Sequence, residues 1–175
     1  MLEYKLEEVN ESYVRVSPAP ASGDELTEEI RACMIRLASR ALRNSFAPYS
    51  RYNVAAAVLT TSGRIYTGVN IESSLLSCTI CAERNAIFHA AACGERKLIA
   101  VAIVGGLEAA EKETDFDEYC TPCGVCRQVM RDFGDPETMR VICAKSETDY
   151  REWTLGQLLP ESFGPESLED RTPET

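Results

Sequence analysis

The strongest constraint on the fold comes from thiols in two short segments that lie far apart in the chain. Cys123 and Cys126 form a Cys-x-x-Cys pair, and Cys81 lies two residues before Glu83. Each segment stands at the start of a predicted helix, where unpaired N–H groups and the helix dipole favour the thiolate form. For the three thiols to share one metal ion, the fold must bring the two helix starts together.

The cysteine spacing leaves several interpretations open. A lone Cys-x-x-Cys pair can bind a metal, act as a thioredoxin-type redox pair or lie in a core. Cys78-x-x-Cys81 together with Cys123-x-x-Cys126 also resembles a structural four-cysteine zinc site. The segment between these pairs, residues 82–122, is much longer than the about 15–20 residues of the usual form. We therefore expect catalytic zinc with three protein ligands and keep a non-enzymatic four-cysteine module as the alternative.

Helices and strands alternate along the chain in an order that predicts a mixed sheet covered by helices. The predicted helices are residues 24–47, 81–93, 123–133 and 155–159. The predicted strands are residues 53–60, 64–71, 98–105, 139–144 and 150–154. Residues 98–105 form a continuous apolar run, which is typical of a central strand buried on both faces. Ser22 or Asp24 is the expected cap of the first helix.

The length of 175 residues and the hydrophobic share of 45% predict a single domain with one core. Residues 1–22 show no sustained period and end in a Pro/Ala/Ser-rich stretch, so we expect an acidic N-terminal extension and linker. The predicted domain covers residues 23–165 and contains an acidic, loop-like insert at 107–118. Residues 166–175 are predicted to be a flexible acidic tail.

The apolar runs and the cysteines indicate where in the cell the protein is expected. Residues 1–10 hold no apolar run of the length that a secretory signal needs, and no run approaches the about 20 residues of a membrane helix. We therefore expect a cytoplasmic protein without a membrane partner. Its eight cysteines should stay reduced, which favours metal binding or catalysis over disulfides.

The formal net charge of −10 disfavours nucleic acid polymers as partners, because binding them relies on Lys and Arg. However, the segments 1–29, 107–118 and 161–175 hold 19 of the 28 acidic residues and only 4 of the 18 basic ones. The rest of the chain is net positive. The choice between a polymer and a small substrate therefore rests on individual residues.

Four sequence blocks, in order, resemble the small cytidine deaminase family over roughly residues 25–165. The blocks are APYSRYNV at 47–54, GVNIE at 68–72, TICAERNA at 79–86 and PCGVCRQV at 122–129. The resemblance implies a three-layer α-β-α fold with a mixed five-stranded sheet and a homo-oligomer, usually a tetramer. Related nucleotide and polynucleotide deaminases commonly have His in place of Cys81, so the resemblance implies a free pyrimidine nucleoside as the substrate.

The activity that the resemblance implies is the hydrolytic deamination of cytidine and 2'-deoxycytidine to uridine and 2'-deoxyuridine, with release of ammonia, as in pyrimidine salvage. One Zn2+ per subunit would be held by Cys81, Cys123 and Cys126, and Glu83 would move protons between water and the base. An alternative keeps this fold and chemistry but acts on another aminopyrimidine nucleoside, such as a nucleoside antibiotic.

The resemblance also implies the substrate contacts. Asn70 and Glu72 would hydrogen-bond the sugar hydroxyls, Tyr52 would stack near the base, and the backbone N–H of Ala82 would contact the base. A carboxylate at position 72 would repel a phosphate, which favours a nucleoside over a nucleotide. The structural alternatives are an ordinary strand-end carboxylate for Glu72 and a plain core aromatic for Tyr52.

Three further residues receive expectations from the resemblance or from their position. Arg84 would offset the formal charge of about −1 that three thiolates leave on a zinc ion, or it is an exposed helix arginine. Phe163 would be lent to the active site of a neighbouring subunit, or it packs on its own domain. His89, the only histidine, is expected to be structural, since helical periodicity rotates it away from Cys81.

The chain departs from the family pattern at two positions. Ala55 stands where the family usually has Gly and could crowd the floor of the pocket. Leu76 stands where many members have Tyr and is expected to alter a pocket or subunit contact. Cys120 is a spare thiol close to the predicted zinc ligands, and we expect it to be a bystander.

Overall fold

A computed structural model describes residues 5–10, 13–111 and 115–169 of the chain. Seven strands within these residues form one sheet: β1 (Lys5–Asn10), β2 (Tyr13–Ser17), β3 (Tyr52–Thr60), β4 (Arg64–Val69), β5 (Leu98–Leu107), β6 (Arg140–Ala144) and β7 (Tyr150–Thr154). They lie side by side in the order β1-β2-β4-β3-β5-β6-β7. β5 and β6 pair in parallel, whereas the other neighbours are antiparallel. The sheet is therefore mixed, as predicted.

Helices cover both faces of this sheet. They are α1 (Glu28–Ala41), α2 (Ala82–Ala92), α3 (Gly124–Phe133), and the short α4 (Leu155–Leu158) and α5 (Glu166–Glu169). Along β3, Ala55, Ala57 and Leu59 pack in the core beneath α1, while Ala56 and Val58 pack in the core beneath α2 and α3. This alternation confirms the three-layer α-β-α fold. None of the helices in the described ranges combines the length and hydropathy that a membrane span requires.

An N-terminal hairpin adds two strands to the predicted five. β1 and β2 pair with each other in antiparallel register, and β2 joins the edge of β4 through Val14 opposite Ile65. Val16 is buried in the core beneath α1. The segment that we expected to be an extension and linker thus contributes to the sheet. Residues 1–4, 11 and 12 of that segment lie outside the described residues.

The first helix begins later than predicted, at Glu28. Thr27 is its N-cap, and the Thr27 hydroxyl accepts a hydrogen bond from the backbone N–H of Ile30 at 3.3 Å. Ser22 caps a separate 3₁₀ turn, Gly23–Glu25. The predicted caps, Ser22 or Asp24, were therefore wrong for this helix. Several residues that can cap a helix precede it, and the sequence does not show at which of them the helical backbone begins.

The acidic insert is packed against the domain at two points. Ala109 begins a 3₁₀ turn, Ala109–Glu111, and both Ala109 and Phe116 are buried in the core beneath α1. The backbone N–H of Phe116 donates to the carbonyl of Lys145 at 2.9 Å. Two side chains of this loop-like segment therefore anchor it to the core. Residues 112–114 of the insert and 170–175 of the predicted tail lie outside the described part of the chain.

Candidate active site

The starts of α2 and α3 meet on one face of the sheet and bring three thiols together. Cys81 is the N-cap of α2 and Cys123 the N-cap of α3, while Cys126 lies in the first turn of α3 and is fully buried. The Sγ atom of Cys123 is 3.9 Å from Sγ of Cys81 and 3.5 Å from Sγ of Cys126. All three sulfurs lie within 4.8 Å of one another. This is the convergence of helix starts that a shared metal ion requires.

The geometry of the three thiols fits a tetrahedral zinc ion. With Zn–S bonds of about 2.3 Å, two sulfur ligands of a tetrahedron lie about 3.8 Å apart. Neither Cys81 nor Cys123 uses its side chain as a helix cap, so both sulfurs are available as ligands. Three protein ligands leave one position open, as in catalytic zinc sites.

Cys78 does not join the thiol cluster. Among the residues that the structure describes, the potential metal ligands that group together are Cys81, Cys123 and Cys126. Cys78 instead ends an exposed 3₁₀ turn, Leu76–Cys78, before α2. The four-cysteine hypothesis therefore lacks its fourth ligand.

Arg84 lies against the thiols. Its Nη2 atom donates to the Sγ of Cys81 at 3.7 Å and to the carbonyl of Thr79 at 3.1 Å. The hydrogen bond from the Cys126 thiol, with further help from Arg84 and Cys123, lowers the pKa of Cys81 to about 5 despite its partial burial. Arg84 thus lies where a charge-compensating cation is needed, which argues against an uninvolved exposed arginine.

Glu83 is a buried carboxylate beside the thiols. It occupies the second position of α2 and is only 4% exposed. Burial and the nearby negative charge of Cys81 raise the pKa of Glu83 to about 7, although a hydrogen bond with the Cys126 thiol opposes the shift. A carboxyl group in this position can exchange protons with water close to a metal ion.

Asn70 follows β4 and is held by hydrogen bonds within the protein. Its Oδ1 atom accepts from the Ser45 hydroxyl at 2.5 Å and from the backbone N–H of Val54 at 2.9 Å. Its Nδ2 atom donates to the carbonyl of Tyr52 at 2.8 Å. Asn53 donates in turn to the Ser45 hydroxyl at 3.0 Å. The side chain of Asn70 is therefore fixed next to β3 before any ligand binds.

Glu72 is held in a similar way by the turn that precedes β3. Its Oε2 atom accepts from the backbone N–H groups of Tyr49 and Ser50 at 2.9 and 3.2 Å, and Oε1 accepts from the Ser50 hydroxyl at 2.5 Å. The Ser50 hydrogen bond is the main cause of a lowered pKa for Glu72. Neither Ser45 nor Ser50 is predicted from the sequence as a site residue, although Ser50 lies inside the APYSRYNV block.

Tyr52 lies at the start of β3 and packs against the core beneath α2 and α3. Burial raises the pKa of its hydroxyl, and the neighbouring Cys120 and Glu118 raise it further. Burial raises the pKa of the Cys120 thiol to about 12, and Cys120 does not belong to the metal-binding group. Tyr52 therefore lies between the end of the acidic insert and the core beneath α2 and α3.

Two other predicted contacts differ in how the fold places them. Ala82 is the first residue of α2 and is completely buried, so its N–H has no partner within the helix and lies next to Cys81. Phe163 is 55% exposed and belongs to neither core. The carbonyl of Phe163 accepts from Gln128 of α3 at 3.0 Å, which fixes the backbone and leaves the ring on the surface.

Three other residues of interest do not belong to the thiol cluster. The ring of His89 packs edge-on against Tyr66, and its Nδ1 atom is 3.2 Å from the carbonyl of Thr67. Ala55 lies in the core beneath α1, on the sheet face opposite the thiols, so the expectation that it crowds the pocket floor was wrong. Leu76 is 72% exposed before α2.

Comparison with protein families matches residues 28–144 to the cytidine and deoxycytidylate deaminase zinc-binding region. A probable cytidine deaminase of Dictyostelium discoideum is 36% identical over 141 residues, which cover 81% of this chain and 88% of that protein. The cytidine deaminase of Sporosarcina psychrophila is 38% identical over 135 residues, which cover 77% of this chain and 92% of that protein.

Comparison with solved structures gives the same family. The crystal structure of cytidine deaminase from Burkholderia pseudomallei has a TM-score of 0.66 and 35% sequence identity, and covers 79% of this chain and 100% of that one. The cytidine deaminase structure from Mycobacterium tuberculosis has a TM-score of 0.62 and 32% identity, and covers 75% of this chain and 95% of that one.

Proposed function

The chain belongs to the cytidine and deoxycytidylate deaminase family, and we propose that it removes the amino group of cytidine and 2'-deoxycytidine by hydrolysis. The products are uridine or 2'-deoxyuridine and ammonia, which is a reaction of pyrimidine salvage. The observation that carries the proposal is the cluster of Cys81, Cys123 and Cys126, whose sulfurs lie within 4.8 Å of one another, with the buried carboxylate of Glu83 against Cys126.

Each residue of the proposed site has its own role in the reaction. Cys81, Cys123 and Cys126 would hold zinc, which supplies the Lewis acidity that makes water nucleophilic near neutral pH. Glu83 takes one proton from the attacking water and delivers it to N3 of the base, then takes the second proton from the hydroxyl now on C4 and delivers it to the departing amino nitrogen. A C4–O bond forms and the C4–N bond breaks. Arg84 offsets the negative charge of the thiolates.

The unused hydrogen-bonding capacity of Asn70 and Glu72 supports a nucleoside with either sugar. Glu72 Oε1 accepts one hydrogen bond and Asn70 Nδ2 donates one, so each keeps one position free. Alternate residues of an extended segment project to the same side. One acceptor and one donor match a single sugar hydroxyl, and ribose and deoxyribose share their 3' and 5' hydroxyls. Tyr52 and the Ala82 N–H are proposed to contact the base.

A homotetramer is supported by the exposed apolar surface beside the site. The side chains concerned are between 41% and 72% exposed: Phe46, Tyr49, Ile71, Leu75 and Leu76. A second copy of the chain would remove this surface from water. The exposed ring of Phe163, held at its backbone by Gln128, is proposed to complete the site of a neighbouring subunit.

A free nucleoside in the cytoplasm is the substrate that fits the remaining observations. The carboxylate of Glu72, at the rim of the site, would repel the phosphates of a nucleotide or a nucleic acid polymer. The eight cysteines are free thiols, a state that a reducing compartment maintains. The division into an extension at 1–22, a domain at 23–165 and a tail at 166–175 remains our proposal, with the hairpin now added to the sheet.

Steady-state kinetics on a nucleoside panel test this function. The zinc-loaded protein should release ammonia from cytidine and 2'-deoxycytidine with comparable kcat/KM, and should turn over cytidine 5'-monophosphate at least about a hundredfold more slowly. A preference for a modified aminopyrimidine nucleoside over both would instead support the alternative substrate class.

The Cys78→Ala variant separates an enzyme from a structural zinc module. We expect it to keep one zinc per chain, measured by mass spectrometry of the metal content, and to keep its activity, because Cys78 lies outside the thiol cluster. Loss of zinc together with unfolding would support a four-cysteine structural site.

A further inference from the structure

Ser50 connects the two halves of the proposed nucleoside site. Its hydroxyl donates to Oε1 of Glu72 at 2.5 Å and accepts from the backbone N–H of Tyr52 at 3.0 Å. Its own backbone N–H donates to Oε2 of Glu72 at 3.2 Å. One side chain therefore contacts both the residue proposed to bind the sugar and the residue proposed to stack on the base.

The single hydroxyl proton of Ser50 is already used. A serine hydroxyl has one proton to donate, and in this structure it goes to the Glu72 carboxylate. Since the backbone N–H of Tyr52 occupies an acceptor position, the hydroxyl is engaged in both of its roles. Ser50 is thus placed to orient other groups, and Glu72 and Tyr52 are placed to meet the substrate.

The turn that carries Ser50 is held in place by contacts of the next residue, Arg51. Arg51 has a φ of 57°, in the left-handed region that costs a non-glycine residue about 1–2 kcal/mol. Its backbone N–H donates to the carbonyl of Ala47 at 3.0 Å, and its carbonyl accepts from Glu108 at 2.7 Å. The Arg51 and Glu108 side chains also form an ion pair at 3.0 Å. Because the backbone of Arg51 is hydrogen-bonded through both its N–H and its carbonyl, the turn holds the Ser50 hydroxyl towards Glu72.

We propose that Ser50 is a positioning residue that aligns Glu72 with Tyr52 for binding of the nucleoside. The inference rests on the proposed deaminase function and concerns the binding step. Ser50 has no hydrogen bond to Glu83 or to a thiol of the cluster, so its loss should weaken substrate binding and leave the chemical step intact.

Removal of the hydroxyl in the full-length, zinc-loaded protein tests the proposal. Ser50→Ala should raise KM for cytidine about tenfold, as expected for the loss of a hydrogen bond to a charged group, and change kcat less than about twofold. Ser50→Thr, which retains the hydroxyl, should restore most of the affinity. If Ser50→Ala unfolds, Ser50→Cys keeps the volume and replaces the hydroxyl by a weak donor.

Ser62→Ala is the matched control. The Ser62 hydroxyl also donates to a glutamate carboxylate, that of Glu95 at 2.7 Å, but it lies in the turn between β3 and β4, at the end of β3 opposite Tyr52. We expect unchanged kinetics for this variant. In a Glu72→Ala background, Ser50→Ala should lose most of its effect on KM, because the two residues act as one unit.

Two outcomes have different meanings. If the wild-type protein deaminates no cytidine, the proposed function fails. If the wild type is active and Ser50→Ala leaves KM unchanged, or adds its full effect in the Glu72→Ala background, the role of Ser50 is overturned and the proposed function stands.

Discussion

The two faces of the central sheet are built for different tasks. Beneath α1 the core is mainly aliphatic, with Ile30, Met34 and Leu42 fully buried. Beneath α2 and α3 the core includes Cys126, and Cys81 packs against it, so two thiols of the metal-binding group belong to this face. The first face therefore resembles an ordinary hydrophobic core, whereas the second combines packing with reactive groups.

Close packing on the second face is what lets its helix starts converge. Gly68 of β4 faces α2, and a Cβ atom there would lie 2.7 Å from the carbonyl oxygen of Ala82 and against the backbone nitrogen of Ala86. The side chains of α2 that meet the sheet include Ala82, Ala86 and Ala90. Small residues on both sides bring α2 close enough to the sheet to seat Cys81 near α3. Packing on the second face therefore positions the thiols as well as stabilising the fold, whereas packing beneath α1 contributes to stability alone.

The largest expected effect comes from Glu83→Gln. We expect kcat/KM for cytidine to fall about 10³-fold, because the amide cannot carry protons, while zinc content is retained. The melting temperature should be unchanged or higher, since the variant no longer buries a carboxylate. Glu29→Gln, at the equivalent second position of α1, is the matched control and should leave both quantities unchanged. Full activity of Glu83→Gln would refute the mechanism.

Gly68→Ala should affect both stability and activity. The added methyl group meets backbone atoms of α2, so α2 must move, and we expect a loss of about 3 kcal/mol in the free energy of unfolding. The displaced helix should also lower zinc affinity and kcat. Gly106→Ala in β5 is the control, because a Cβ there has its nearest neighbour at 3.9 Å. Denaturant titration and zinc competition measure the two effects, and equal behaviour of both variants would contradict the role of close packing.

Met34→Ala should lower stability alone. Met34 is fully buried beneath α1, and truncation of such a side chain costs about 2–3 kcal/mol. Because the thiols lie on the other face, kcat and KM of the folded variant should stay within about twofold of wild type. Arg40→Ala, on the exposed side of α1, serves as the control. A kinetic change as large as that of Gly68→Ala would show that the two faces are coupled.

The sequence predicts the reactive groups of the site better than it predicts the hydrogen bonds that hold the site residues in place. Cys81, Cys123 and Cys126 lie at two predicted helix starts, and a metal ion shared by the three thiols predicts that these starts meet, as they do in the structure. The hydrogen bonds of Ser50 with Glu72 join residues separated along the chain. No local pattern encodes a contact of this kind, because it depends on how a turn lies against a distant strand end.

Fold prediction succeeded where periodicity is strong and failed where packing decides. The apolar run at residues 98–105 is the central strand β5, paired on both sides. In contrast, the composition around Phe116 predicts a loop but does not reveal that this side chain is buried beneath α1. The strand β2 is short, and its pairing with β4 supplies the stabilisation that its own sequence does not reveal.

The cysteine caps of α2 and α3 limit how this protein can be stabilised by engineering. Ser, Asp or Asn at such a position would stabilise a helix by about 1 kcal/mol, whereas Cys81 and Cys123 make no capping bond. Selection for heat resistance alone would favour replacing both, and each replacement would remove a zinc ligand. A thermostabilised version of this protein therefore has to be selected for metal retention at every round, with positions 81 and 123 held fixed.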